Sequence, residues 1–128
     1  MTILISCLFI ALLLPFIAKI PLAVAMKKQG QYDNNHPRAQ QEKLEGKGAR
    51  ALAAHQNSFE SLIIFAPAIL LAIISQPDNA FITQLAIIHI IARIFYNLLY
   101  VYNLATLRSL AWFIGIFSSF SIIWQCLP

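Results

Sequence analysis

Residues 109–128 read SLAWFIGIFSSFSIIWQCLP and contain no charged side chain. Their length matches the ~20 residues that a helix needs to cross the hydrocarbon core of a bilayer. These residues make up most of the last of four apolar stretches. The stretches lie at about 2–26, 49–75, 80–104 and 108–127. Because backbone polar groups inside a bilayer must be satisfied within the segment, each stretch is predicted to be a helix.

The composition also favours a membrane protein over a soluble one. Hydrophobic residues make up 59% of the 128 residues and charged residues only 11%, whereas soluble domains contain about 25% charged residues. A chain of this size buries only about two-thirds of its surface when it folds alone. A soluble enzyme and a disordered chain are therefore disfavoured. The sequence predicts one all-α domain over residues 1–128, an integral membrane four-helix bundle.

Most of the charges lie in one loop. Nine of the 14 charged residues lie between Lys27 and Arg50, and residues 27–48 read KKQGQYDNNHPRAQQEKLEGKG. Glycine and proline punctuate this segment, which predicts a loop with a short helix at about 39–44. The net charge is +4, but no stripe of Lys and Arg alternates with aromatic residues. A basic loop at the membrane surface is therefore favoured over nucleic-acid binding.

The distribution of Lys and Arg also predicts the orientation in the membrane. Loop 27–48 holds five of them, the predicted turn at Gln76–Asn79 holds none, and Arg108 lies beside the third loop. Positively charged loops stay on the cytoplasmic side. We therefore expect loop 27–48 to be cytoplasmic and both termini to be non-cytoplasmic.

No metal site is predicted. Cys7 and Cys126 lie near opposite ends of the chain and outside any cluster of Cys and His, which metal sites require. His89 has no second candidate ligand, so a packed or cavity-facing side chain is expected. His55 is predicted to lie at the membrane interface, and His36 in the loop.

Polar residues recur at helical spacing inside the second and third apolar stretches. Arg50, Asn57 and Glu60 share one face of the second stretch. A second polar stripe consists of Arg93, Tyr96, Asn97 and Tyr100.

Glu60 is the only acidic residue within an apolar helix, and Arg93 is the best-placed cation. An unpaired charge there would cost several kcal/mol, so a direct Glu60–Arg93 pair is predicted. One alternative is that this pair merely joins two helices. The other is a cavity for an anionic ligand, since Arg binds carboxylates bidentately. Arg108 is expected at the first turn of the fourth helix, where free N–H groups also favour an anion.

Three segments resemble the MAPEG family, the membrane-associated proteins in eicosanoid and glutathione metabolism. RALAAHQNSFE at 50–60 is similar to the family's second helix, and ARIFYNLLY at 92–100 with LRS at 107–109 resembles the third helix and the start of the fourth. The loop motif YDNNHPR resembles a bacterial branch. The resemblance covers nearly the whole chain.

The resemblance implies a homotrimer in the bacterial inner membrane, with glutathione bound between subunits in the cytoplasmic half of the bilayer. It implies a glutathione-dependent transferase or peroxidase that acts on lipophilic electrophiles. Arg108 would stabilise the thiolate, with Ser109 beside it, and Arg93 and Tyr100 would come from the neighbouring subunit. The residues expected to bind glutathione are Arg50, Asn57, Glu60, Arg93, Tyr96 and Tyr100.

Two other functions compete with that of a glutathione-dependent enzyme. Family members that use glutathione usually carry an arginine four residues before the Asn, where this chain has Ala53. A non-catalytic membrane protein of the same fold, binding another small anion or a lipid, is therefore the main alternative. A small multidrug transporter is disfavoured, because that family needs a membrane-embedded Glu in its first helix, where this chain has only Lys19 as a charged residue.

Overall fold

A computed structural model describes residues 1–75 and 80–128, and within them all regular structure is helical. The predicted turn at Gln76–Asn79 lies outside the described residues. Four helices are long and apolar enough to cross a membrane, which confirms the predicted all-α fold. The helices are α1 (Thr2–Lys28), α2 (Pro37–Gln41), α3 (Gly46–Ser75), α4 (Ala80–Val101) and α5 (Ala105–Gln125).

The outer surface of the bundle is apolar. Large hydrophobic side chains are strongly exposed on every long helix: Phe16 is 67% exposed, Ile63 72%, Ile91 50% and Phe117 68%. In water such a surface would associate or aggregate. In a bilayer such a surface meets acyl chains that are equally apolar, so its exposure fits a bundle embedded in a membrane.

Small residues allow the long helices to pack closely. α1 packs mainly on α3, and α4 packs mainly on α5. Lipid tails are as apolar as leucine, so helix association inside a membrane relies on close packing and on hydrogen bonds between helices. The small residues buried on these long helices include Ala11, Ala18, Ala54, Ala68, Ala86, Ala92, Ala111 and Gly115.

A tight turn at Asn103 joins α4 to α5. Asn103 has a φ of 61°, a left-handed conformation that Asn tolerates better than most residues. The Leu104 amide donates to the Leu99 carbonyl at 2.9 Å, and the Asn103 amide donates to Tyr100 at 3.1 Å. This pattern is a Schellman motif, which ends a helix and satisfies its last carbonyl groups.

Because of this turn, α4 ends at Val101 rather than at 104, and α5 begins at Ala105 rather than at 108. Arg108 is therefore the fourth residue of α5, and its amide donates to the Leu104 carbonyl at 2.9 Å. The fourth spanning helix thus begins three residues earlier than predicted, and its free N–H groups belong to the residues before Arg108.

Loop 27–48 has a defined structure organised by Gln40. The Gln40 side chain accepts a hydrogen bond from the Asp33 amide at 2.9 Å and donates to the carbonyls of Met26 and Gln31, both at 3.1 Å. The short helix α2 lies at Pro37–Gln41, somewhat earlier than predicted, because Pro37 occupies its first position, where proline is favoured.

Replacing Gln40 is expected to release this loop. Gln40→Ala removes one acceptor and two donor contacts, each worth about 0.5–1.5 kcal/mol. Amide hydrogen exchange at Asp33 should then accelerate several-fold. Gln41→Ala is the matched control, because the Gln41 amide makes only a 3.7 Å contact to the Met26 sulfur. Equal exchange in the two variants would contradict the central role of Gln40.

Candidate functional site

Asn57 connects the two charged residues of the α3 and α4 stripes. Its side-chain N–H donates to Glu60 Oε2 at 2.7 Å. Its side-chain oxygen accepts a hydrogen bond from the Arg93 guanidinium, also at 2.7 Å, and the same nitrogen of Arg93 lies 3.2 Å from the Asn57 carbonyl oxygen. The amide group therefore uses both its donor and its acceptor side.

This arrangement corrects one expectation. Glu60 and Arg93 do not form the predicted direct pair: residues 1–75 and 80–128 contain a single ion pair, between His36 and Asp33. The Asn57 amide lies between the two charges and bonds to both, which removes the need for direct contact. Arg93 reaches Asn57 of its own chain, and a contribution of Arg93 to a site on a neighbouring subunit stays a prediction.

The guanidinium groups of two arginines each lie over the face of a tyrosine ring. The Arg93 guanidinium carbon is 4.1 Å from the centre of the Tyr96 ring, and that of Arg108 is 4.3 Å from the centre of the Tyr100 ring. The two rings meet edge to face at 5.6 Å. A cation over an aromatic face is electrostatically attracted to it. The rings thus fix both guanidinium groups along one continuous polar path from Glu60 to Arg108.

Arg93 passes closely over α5 at Gly115. A β-carbon at Gly115 would lie only 3.3 Å from Arg93 Cδ, closer than such atoms normally approach. Glycine at this position therefore leaves room for the aliphatic stem of a side chain that is only 3% exposed.

His89 lies one turn before Arg93 and holds α4 against α5. Its Nδ1 is 2.9 Å from the Gly115 carbonyl oxygen and 3.0 Å from Ser119 Oγ. A carbonyl can only accept, so Nδ1 carries the proton and Nε2 is left as an acceptor. Ser61 Oγ lies 3.4 Å from that Nε2, and the imidazole ring stacks on Phe65 at 3.8 Å.

A small cavity lies between these groups. Its volume is about 100 Å³, enough for a few water molecules. His89 lines it, which confirms the expectation of a packed or cavity-facing histidine. The lining residues are Asn57, Glu60, Ser61, Ile64, His89, Arg93, Trp112, Ile116 and Ser119.

The roles of Ser61 and Ser119 in this cavity, and that of Gly115 beside Arg93 and His89, were not predicted from the sequence. The spacing of His89 and Arg93, four residues apart on one helix, is the signal that places them on the same face. The serines and the glycine gave no such signal, because small residues occur throughout membrane helices.

Three predicted polar residues lie apart from this path. Arg50 is half-buried, and its Nε is a buried donor that has no hydrogen-bond partner in the described parts of the chain. The Ser109 hydroxyl donates to the Ala105 carbonyl at 3.1 Å. Asn97 accepts a hydrogen bond from Ser58 at 3.1 Å on the side of α4 toward α1.

His55 joins α3 to α1 and not to the polar path. Its Nδ1 lies 2.8 Å from the Pro15 carbonyl oxygen, and its ring contacts Phe59 edge to face at 5.3 Å. His55 also lines a pocket with Arg38, Gln41 and Glu42 of loop 27–48, so its interfacial position stays a prediction. Within residues 1–75 and 80–128, no group of three His, Cys, Asp or Glu side chains is placed to hold a metal ion.

The fold and the polar path define an integral membrane protein of four spanning helices with a polar, arginine-lined site at one end of the bundle. The family model of the MAPEG family matches residues 3–128. The chain therefore belongs to the MAPEG family. No curated protein and no solved structure gives a significant match.

Removing the Asn57 amide is expected to destabilise the bundle more than neutralising Glu60. Asn57→Ala leaves the buried Arg93 guanidinium without its side-chain acceptor, which costs about 1–3 kcal/mol. Glu60 is exposed in the chain, so Glu60→Gln should cost less. Thermal unfolding in detergent measures both effects.

A double-mutant cycle tests the same contact. Asn57→Ala and Arg93→Met together should cost less than the sum of the single losses, because the second change removes the group that the first left unsatisfied. Strictly additive losses would show that the two side chains do not interact.

Proposed function

We propose that the protein is a membrane-embedded glutathione-dependent transferase or peroxidase that acts on lipophilic electrophiles, with Arg108 stabilising the thiolate. The observation that carries the proposal is the continuous polar path from Glu60 through Asn57 and Arg93 to Arg108. Membership of a family associated with glutathione and eicosanoid metabolism supports this choice of ligand.

The charges of the site complement those of the tripeptide. Glutathione has two carboxylates, one ammonium group and a thiol. Glu60 uses only Oε2 for Asn57, and within the described ranges its other oxygen has no hydrogen bond, so it is available to the ammonium group. Arg93 and Arg50 are suited to carboxylates, since guanidinium groups bind them bidentately.

Arg50 lies on the same face of α3 as Asn57, seven residues earlier. At 1.5 Å per residue this separation is roughly 10 Å along the helix axis, a distance that an extended tripeptide can span. The buried Arg50 Nε lacks a hydrogen-bond partner among the described residues. Buried polar groups are generally satisfied, so a ligand carboxylate is a suitable acceptor for it.

The chemistry requires an ionised sulfur. A thiol is nucleophilic as its thiolate, and a nearby guanidinium favours that form. Tyr100 holds the Arg108 guanidinium in place, and Ser109 would border the sulfur. An electrophile dissolved in the bilayer would reach the thiolate from the apolar side. The sulfur would bond to the electrophilic carbon while the leaving group departs with its electron pair.

The proposed assembly is a homotrimer with loop 27–48 in the cytoplasm and both termini on the other side of a bacterial inner membrane. Glu60 and Ser109 are exposed in the single chain, and Tyr100 contacts no residue of α3 through a ring or hydrogen bond within the described segments. A neighbouring subunit would supply the missing wall, in keeping with closed cyclic symmetry.

Ala53 favours a second function. Because it lies where glutathione-using relatives are expected to carry an arginine, the site has one cation fewer. A non-catalytic protein that binds another small anion or a lipid on the same fold is the alternative.

Glutathione binding and thiolate formation distinguish the two functions. Isothermal titration of the detergent-solubilised protein should show glutathione binding, and thiolate absorbance should appear at neutral pH. Arg108→Ala should abolish the absorbance and the conjugation of a hydrophobic aryl halide while most of the binding remains, because Asn57, Glu60 and Arg93 hold the rest of the tripeptide.

Arg38→Ala is the control for this measurement, since Arg38 is an exposed loop arginine outside the polar path. It should keep both absorbance and conjugation. Full activity in Arg108→Ala would remove Arg108 from the mechanism. No glutathione binding in the unmodified protein would favour the non-catalytic alternative.

The oligomeric state is a separate prediction. Native mass spectrometry in detergent should give three chains, because an intersubunit site is incomplete in one chain. A monomer that still binds glutathione would contradict the intersubunit site but not the choice of ligand.

A further inference from the structure

A second concave site lies where α1 ends and α3 begins. It is a groove of about 570 Å³ between the last turns of α1 and the end of loop 27–48. Its apolar floor includes Val24, Ala25 and Leu44, and its polar rim carries Lys28, Lys43 and Lys47. It shares no lining residue with the cavity beside Arg93.

The rim has an excess of positive charge. Three lysines face one acidic residue, Glu45. Among residues 1–75 and 80–128 no ion pair involves these lysines, since the His36–Asp33 contact is the single pair found there. The groove therefore presents a field that complements a phosphate group.

The position of the groove suits a lipid rather than a soluble anion. Val24 is 49% exposed on the apolar surface of α1, and Lys28 ends that helix four residues later. Lysine side chains at such a boundary place their stems along apolar surface and their ammonium groups in the headgroup region. An acyl chain can therefore lie on the floor while a phosphate meets the rim.

The two walls of the groove are fixed to each other. The Gln29 side chain donates to the Lys43 carbonyl at 2.8 Å, which joins the end of α1 to the end of the loop. A β-carbon at Gly48 would lie 3.0 Å from Leu44 Cδ2 and 3.3 Å from Ala25 Cβ. The bare backbone of Gly48 therefore lets Leu44 lie close to α1, and the floor is well packed.

We infer that this groove binds an anionic phospholipid of the surrounding membrane, with the phosphate between Lys28, Lys43 and Lys47 and an acyl chain along Val24. The site is independent of the proposed glutathione chemistry. A lipid held there would tie loop 27–48 to the membrane surface.

Native mass spectrometry of the detergent-solubilised full chain tests this site with three probes: phosphatidylglycerol, phosphatidylcholine and glycerol 3-phosphate. Phosphatidylglycerol should bind at least tenfold more tightly than phosphatidylcholine, and glycerol 3-phosphate should bind weakly. Each lysine near an anionic headgroup contributes about fivefold in affinity. The triple variant Lys28→Gln, Lys43→Gln and Lys47→Gln should therefore lose more than tenfold for phosphatidylglycerol alone.

The matched control removes three cations outside the groove through Lys19→Gln, Lys27→Gln and Arg38→Gln, and should retain the preference. If the triple variant does not fold, Lys43→Gln alone tests the groove, and its affinity for phosphatidylglycerol should fall about fivefold.

Three results would overturn the inference. Equal loss in the control would mean that overall charge, not the groove, attracts the lipid. Equal binding of phosphatidylglycerol and glycerol 3-phosphate would mean a site for free phosphate. No preference for phosphatidylglycerol in the unmodified protein would mean that the groove is covered by another occupant, such as a second copy of the chain.

Discussion

The structure depends on how a buried guanidinium is satisfied inside an apolar bundle. Arg93 is 3% exposed, and lipid offers no partner to its donors. Asn57 supplies the acceptors from α3, and Tyr96 supplies an aromatic face from α4 itself. Because Arg93 also crosses α5 at Gly115, this one side chain of α4 contacts both α3 and α5.

The same constraint explains why the sequence predicted the site only in part. Helical spacing correctly placed Asn57 and Glu60 on one face and Arg93 on a partner helix. It could not show that Asn57 would lie between the two charges, because that depends on the distance and rotation of two packed helices. The predicted direct ion pair between Glu60 and Arg93 was therefore wrong, although both residues bond to the same Asn57 side chain.

The start of α5 shows a different limit of sequence reasoning. Gly is the usual residue for a left-handed helix end, and Asn103 takes that role here without an obvious turn signal around it. The helix thus begins one turn before Arg108, at a residue without a side-chain cap. By contrast, the four spans were predictable, since length and apolarity alone require helices in lipid.

The up-and-down path of the chain brings the polar features to one end of the bundle. The end of α1, the start of α3, the end of α4 and the start of α5 all lie on the side of loop 27–48. The lysine-rimmed groove and Arg108 therefore share one face of the membrane although 60 or more residues separate them in sequence. Cations gathered on one face raise the local concentration of anions there. The proposed reaction between a thiolate and a lipophilic partner needs such a field for anions next to the apolar surface of the helices.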